Sequence, residues 1–299
     1  MRATTTLRQR LRDPGIIVAP GAYDCLTAKL IECEGFPAVY MTGAGTALTR
    51  LGHPDLGFAT LSDMVANAAA IVSTVRIPLI ADADTGYGGA LNVYRTVREY
   101  ERAGVAALHL EDQVFPKRCG HLDGKQVVPI EEMVIKLRAA VEARTDDDFV
   151  LIARTDALAV TGLDDTLRRC QAYAEAGADV LFVEAPTSRE EIERLVREAP
   201  VPLLYNFVEH GKSPLLPVVE LERLGFKMVI FPGSIMLAML PLVRTILGEI
   251  KQHGTTHALL DRMTNVVAAF ETMGLSEWLA LDDRVAGPAG ASSTAGARP

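Results

Sequence analysis

The chain has 299 residues, 49% of them hydrophobic and 23% charged, a composition that can bury a sizeable core and excludes general disorder. Its 38 acidic residues outnumber 30 basic ones, for a net charge of −8, and no Lys/Arg-rich run offsets the deficit. Nucleic acid is therefore excluded as a partner, while a small anionic substrate needs local cations or a metal.

The N-terminus, from Met1 to Leu7, lacks the apolar core of a signal segment. Beyond it, short apolar runs recur at 16–19, 38–41, 78–81, 107–110, 149–152, 180–183, 202–205 and 228–231. They are continuously apolar rather than alternating, which suits strands buried on both faces of a parallel sheet. Helical patterns lie between them, and four end at Gly35, Gly104, Gly177 and Gly225 shortly before the next run. Glycine takes the left-handed conformation cheaply and stops a helix there. Strand–helix alternation with short links means right-handed crossovers, and eight of them predict a closed (β/α)8 barrel, with an open doubly wound sheet as runner-up.

After the eighth strand, 235–253 and 256–273 both read as helices, one of them extra to the barrel. The expected organisation is a single domain over 1–285, with 286–299 a low-complexity, disordered tail. The most membrane-like stretch, 228–243, holds Pro232 and Pro241 and falls short of the roughly 20 apolar residues a span needs, so no membrane partner is expected. Four scattered cysteines form no CxxC pair, and a reducing cytoplasm is the expected address. Cys25, Cys33 and Cys170 lie in apolar helical patterns and read as inert core residues.

In such a barrel, chemistry sits at the C-terminal strand ends. Tyr23-Asp24 follows strand 1 closely, and Thr42-Gly43-Ala44-Gly45 follows strand 2. Asp82 and Asp84 end strand 3, Glu111-Asp112 strand 4, Arg154-Thr155-Asp156 strand 5, Glu184 strand 6 and Asn206 strand 7. Carboxylates crowded into one cleft resist ionisation, and a divalent cation removes the conflict. The ligands on offer are hard oxygens, which points to Mg2+ or Mn2+. Asp82 is the expected direct ligand. Asp84 and Glu111 would act directly or through water, with Asp55 reaching in from the second loop. Taken singly, Asp82 or Asp84 reads as easily as a turn cap.

Gly43-Ala44-Gly45 offers backbone N–H groups as an anion cradle, with a plain tight turn as the bland reading. Leu48 stands where a dinucleotide fingerprint needs its third glycine. Arg154 can clamp a carboxylate bidentately, or make an ion pair with Glu184 or Asp156. Loop residue Cys119 sits among Lys117, Arg118, His121 and Lys125, cations expected to lower its thiol pKa. His210 and Lys212 read as ordinary surface residues.

The segments 82–88 (Asp-Ala-Asp-Thr-Gly-Tyr-Gly), 110–113 (Leu-Glu-Asp-Gln), 117–121 (Lys-Arg-Cys-Gly-His) and 152–156 (Ile-Ala-Arg-Thr-Asp) together resemble the isocitrate lyase / phosphoenolpyruvate mutase superfamily, over roughly residues 10–255. The Lys-Arg-Cys-Gly-His motif is similar to the branch of 2-methylisocitrate lyase, 2,3-dimethylmalate lyase and oxaloacetate hydrolase, and is shared by carboxyphosphonoenolpyruvate mutase. The resemblance implies a (β/α)8 barrel with its extra C-terminal helix swapped between subunits, homotetramers built from such dimers, and Mg2+ at Asp82 and Asp84 with Asp55 and Glu111 outside. It places Cys119 on a gating loop as proton donor, and Thr42, Gly43, Ala44, Gly120, His121, Arg154, Glu184 and Asn206 on a small anionic carboxylate substrate. Tyr23 would lie near the reacting carbons, as base unless a metal-linked carboxylate serves, with Glu111 also in the catalytic set. The implied activity is cleavage of a 2-hydroxy di- or tricarboxylate to a 2-oxo acid and a saturated acid. Oxaloacetate hydrolysis and carbon–phosphorus mutase chemistry are the alternatives. Val208 departs from the pattern, since it stands where the tricarboxylate lyases carry a carboxylate-holding Thr.

Overall fold

The structure, a computed structural model, describes residues 1–290, with side-chain surroundings through 286. Eight parallel strands close in sequence order into one barrel. They are β1 (Ile17–Ala22), β2 (Val39–Met41), β3 (Leu79–Asp82), β4 (Ala107–Glu111), β5 (Val150–Thr155), β6 (Val180–Val183), β7 (Leu203–Asn206) and β8 (Met228–Phe231). β1 pairs with both β2 and β8, which closes the sheet without an edge. The outer helices are α2 (Cys25–Cys33), α4 (Leu61–Thr74), α5 (Ala90–Arg102), α6 (Ile130–Ala143), α7 (Leu163–Glu175), α8 (Arg189–Glu198) and α9 (Val218–Leu224). α1 (Ala3–Arg12) precedes the barrel, and the short α3 (Gly43–Thr46) follows β2. The four predicted stop glycines all have positive φ, from 79° at Gly35 to 113° at Gly225.

Strand parity explains where the polar residues fall. Side chains two apart share a face. Tyr40, Ile80, Ile152, Phe182 and Leu204 belong to the apolar cluster inside the barrel, which Leu7 of α1 also joins. The next residues of the same parity are Thr42, Asp82, Arg154, Glu184 and Asn206. Glu111 follows inward-facing His109 in the same way. Six of the eight strands, β2 to β7, thus run inward-apolar, His109 apart, until the C-terminal end and then present a polar group to the mouth, whereas β1 and β8 reach it with Gly21 and Pro232. The opposite parity, such as Val39, Leu79, Leu108, Leu151 and Leu181, packs under the helices.

The chain forms two compact units, Met1–Met239 and a C-terminal unit from Leu240. The first holds the whole barrel. The second holds most of α10 (Ser234–His253, with Pro241 inside it), α11 (Val266–Thr272) and α12 (Leu275–Gly290). The helix predicted over 256–273 is broken: a 3-10 turn covers His257–Arg262, and Asn265 caps a new start by accepting from the Ala268 N–H. α12 reaches five residues into the predicted tail at 286–299, and residues 291–299 of that expectation lie outside the described ones. Among the described residues, no helix is long and apolar enough to cross a membrane.

Candidate active site at the barrel mouth

A cavity of about 210 Å³ opens at the C-terminal ends of the strands. Tyr40, Thr42, Ala44, Asp55, Asp82, Cys119, Gly120, His121, Arg154, Glu184 and Asn206 line it, with Val208, Pro232, Gly233, Met236 and Leu237 forming an apolar wall. Ten of these were expected from sequence or resemblance. Gly43, Asp84 and Glu111 stand behind the lining rather than in it.

Arg154 organises one half. It is paired with Glu111 across the β4–β5 register at 3.3 Å, with Asp156 at 2.9 Å and with Glu184 at 3.2 Å. Its guanidinium also lies 5.0 Å from the centre of the Phe182 ring. Arg154 is thus ion-paired and also faces the cavity. Burial alone would raise the Glu184 pKa, but Arg154 and His121 outweigh it and hold the group down to about 2. Asn206 donates to Glu184 at 3.1 Å. His121 Nδ1 accepts the Lys212 N–H at 3.1 Å, and its Nε2 lies 3.0 Å from Glu184. Asp156 is fixed from behind by Asp112, which accepts from its N–H at 2.9 Å and is itself held by Arg169 and the Tyr173 hydroxyl. Asp112 and Thr155 have outward parity, so they brace the strand end and do not enter the site.

The other half gathers the carboxylates. Asp82 accepts from its neighbour Asp84 N–H at 2.9 Å and from Gly43 N–H at 3.2 Å. A Cβ on Gly43 would overlap the Asp82 carboxylate, so only glycine fits. Within the expected cradle Gly43 gives its N–H to Asp82, and residues 43–46 form a helical turn capped by Thr42, whose Oγ1 accepts from Gly45 N–H, while Ala44 lines the cavity. Asp84 holds a left-handed backbone (φ 46°), a conformation that Asp tolerates better than most residues. Lys117 bridges Asp55 and Asp84, 2.8 Å from the latter. Burial raises the pKa of Asp82, and that of Asp84 to about 6, although Lys117 opposes both. Burial also pushes Glu111 well up against the pull of Arg154, and its Oε1 is buried without a hydrogen-bond partner.

Among the described residues no three His, Cys, Asp or Glu side chains form a ready-made metal cage. The donor set nonetheless suits a hard divalent ion that keeps most of its water and takes one or two carboxylates. The unpartnered Glu111 oxygen and the raised carboxylate pKa values mark uncompensated negative charge there.

Three expectations need correction. Burial raises the Cys119 pKa, reinforced by Asp55 and Glu184, so the thiol is protonated rather than the activated thiolate its cationic sequence neighbours suggested. Those neighbours are engaged elsewhere: Lys117 with Asp55 and Asp84, Arg118 with the Asp123 carbonyl, Lys125 with Asp156. Tyr23 does not line the cavity; its hydroxyl lies 3.5 Å from Met239 Sδ, and burial raises its pKa. Cys33, at the last residue of α2, is exposed and Cys25 half-buried, so only Cys170 is a core cysteine.

Sequence reading missed Tyr40 and His109. Both look like ordinary strand residues, yet Tyr40 Oη and His109 Nε2 lie 2.8 Å apart beneath Asp82. Burial and the nearby Arg154 hold the His109 pKa down to about 3, so the ring is neutral. A polar residue two positions before Glu111 on an otherwise apolar strand was the available signal.

A family model described as phosphoenolpyruvate phosphomutase matches residues 7–251. The chain is 46% identical to 2,3-dimethylmalate lyase of Eubacterium barkeri over 277 residues, covering 93% of this chain and 96% of that protein. It is 44% identical to 2-methylisocitrate lyase of Aeropyrum pernix over 285 residues, 95% and 91% of the two chains. Among solved structures, oxaloacetate acetylhydrolase in complex with 3,3-difluorooxalacetate superimposes with a TM-score of 0.90 at 42% identity, covering 97% of this chain and 100% of that one. Phosphonopyruvate hydrolase in complex with oxalate and Mg2+ gives 0.87 at 34%, covering 96% and 100%.

Proposed function

The chain belongs to the phosphoenolpyruvate mutase/isocitrate lyase superfamily, and from that premise we propose that it is a carbon–carbon lyase cleaving a 2-hydroxy di- or tricarboxylate of the 2,3-dimethylmalate or 2-methylisocitrate type into a 2-oxo acid and a saturated carboxylic acid. The observation that carries the reading is the Cys119 side chain on the wall of the cavity that Arg154, Glu184, Asn206 and Asp82 also line.

Arg154 presents a guanidinium to one substrate carboxylate, oriented by Asp156 and Glu184. Thr42 and Ala44 border the space for the reacting end, with Gly120, His121 and Asn206 on the other side. Mg2+, or Mn2+ in its place, would be held by Asp82, with Asp84, Asp55 and Glu111 contributing directly or through water, and would supply charge stabilisation to the developing oxyanion. Asp55 and Asp82 are the carboxylates of this group that face the cavity, and the hydroxyl proton goes to that side. As the bond between C2 and C3 breaks, its electron pair stays on C3, and Cys119 Sγ–H delivers the proton that completes the saturated acid. A seated loop over the cavity keeps water from that carbanion.

Oxaloacetate hydrolysis to oxalate and acetate is the second reading, favoured by the match to the hydrolase complex. Carbon–phosphorus mutase chemistry ranks third, behind the matches to lyases at 46% and 44% identity and to the hydrolase at 42%. We place the enzyme in the cytoplasm as a homotetramer of helix-swapped dimers; the exposed Leu247, Val266, Phe270 and Trp278 of the C-terminal unit support a subunit contact. The deciding experiment supplies 2,3-dimethylmalate, 2-methylisocitrate, isocitrate and oxaloacetate with Mg2+ and follows 2-oxo acid. Release from a 2-hydroxy acid supports the lyase. Loss of oxaloacetate alone supports the hydrolase.

A further inference from the structure

The Cys119 loop is seated on two groups that line the cavity, Arg154 and Glu184, and on two that do not, Lys125 and Asp156. Gly120 packs so closely on Arg154 and Glu184 that a Cβ would overlap both. Lys125, five residues on and buried, donates to the Gly120 carbonyl and lies 3.0 Å from Asp156 Oδ1. Asp156 simultaneously holds the Arg154 guanidinium through both carboxylate oxygens, at 2.9 and 3.2 Å. On the solvent side the loop is tied by Lys212, whose N–H reaches His121 Nδ1 and whose ammonium reaches Asp123, an acid 94% exposed, and such a surface ion pair contributes little.

We infer that Lys125 is a positioning residue: its ammonium joins the backbone beside Cys119 to the carboxylate that aims Arg154, so that the loop seats only where the substrate clamp is in place. The ammonium acts through two neighbours, the Gly120 carbonyl and the Asp156 carboxylate. If the loop swings out, Lys125 loses the carbonyl and Asp156 is left with one partner fewer among buried charges, a costly state in a low-dielectric setting. Seating of the proton donor and orientation of the clamp are thereby linked through one side chain. The role in turnover rests on the lyase reading; the role in loop seating does not.

The test compares the full-length native protein with Lys125→Met, Lys125→Gln and Lys125→Arg. Each is treated with iodoacetamide at fixed pH, and alkylation of every cysteine is followed by peptide mass spectrometry, with exposed Cys33 as internal reference. Removing a nearby cation by itself slows thiol alkylation by disfavouring the thiolate, so acceleration reads loop opening. The Met and Gln variants should alkylate Cys119 roughly tenfold faster or more, the equivalent of one charged hydrogen bond, with Cys33 unchanged and Arg restoring most of the protection. Cys119 rates within about twofold of native in a folded Met or Gln variant overturn the inference, since a lost charged hydrogen bond must show more. If Met fails to fold, the Gln variant decides. In the activity arm, kcat on the accepted 2-hydroxy acid should fall more than KM rises. If no 2-hydroxy acid is cleaved by native protein, the lyase reading fails while the alkylation arm still decides for Lys125.

Discussion

Gly120 rests against the guanidinium of Arg154 with no room for a side chain between them. The loop that brings Cys119 to the cavity therefore reaches its seat only through glycine. Gly120→Ala should hold the loop away by a distance on the order of an ångström and cut kcat/KM by about 10²-fold, the effect of a small misplacement in an active site. Thermal stability should change little, because the loop lies outside the barrel core. Steady-state kinetics beside a melting curve check both halves.

Arg154 is surrounded by three buried carboxylates, Glu111, Asp156 and Glu184. Arg154→Met removes their shared partner. Breaking a buried ion pair from one side costs about 3–5 kcal/mol. Denaturant unfolding should show a loss of that order, and substrate binding should fall with it. A variant as stable as the native protein would mean that the carboxylates take up protons at no cost.

The metal-free carboxylate group makes a pH prediction with a definite sign. Folded Asp84 has a pKa near 6, above the ordinary 3.8, so the folded state binds the extra proton between those values. Stability contributed by this group is then lost as pH rises through that window. Mg2+ requires the deprotonated form and should restore it. The Mg2+-induced rise in Tm should accordingly be larger at pH 7.5 than at pH 5, and equal shifts at the two pH values would contradict the assignment of this site to the ion.

Val208 lines the cavity within its apolar wall. Val208→Thr adds a hydroxyl to that wall, at the position where the family resemblance implies a carboxylate-holding Thr in the tricarboxylate lyases. The ratio of kcat/KM for 2-methylisocitrate over 2,3-dimethylmalate should rise in that variant by roughly 10-fold, the worth of one charge-assisted hydrogen bond. Competition between the two substrates measures it.

The barrel was legible because its strands are uniformly apolar and its helices stop at glycines that adopt positive φ. Most of the cavity lining was legible for a related reason: strand parity carries Asp82, Arg154, Glu184 and Asn206 to the same mouth as soon as the strands are identified. What sequence proximity could not reveal was which charges compensate which. Lys117 and Lys125 neighbour Cys119 in the chain, but folding sends them to Asp55, Asp84 and Asp156, and the thiol is left in a buried, acid-flanked position that raises its pKa. His109 was hidden by the same logic in reverse, since a neutral ring hydrogen-bonded to Tyr40 sits in an apolar strand without disturbing its pattern. The break at Met263–Asn265 depends on a single cap and left no periodic trace.

The account turns on Cys119 as the proton donor to a carbanion formed by C–C cleavage. Its most direct test is the rate of 2-oxo acid release from 2,3-dimethylmalate with Mg2+, native protein against Cys119→Ser, with oxalate binding followed in parallel by thermal shift. We expect turnover in the Ser variant to drop by about 10²–10⁴-fold, the usual contribution of a placed acid, while the oxalate-dependent shift is unchanged. Native-like turnover in the Ser variant would contradict the central claim.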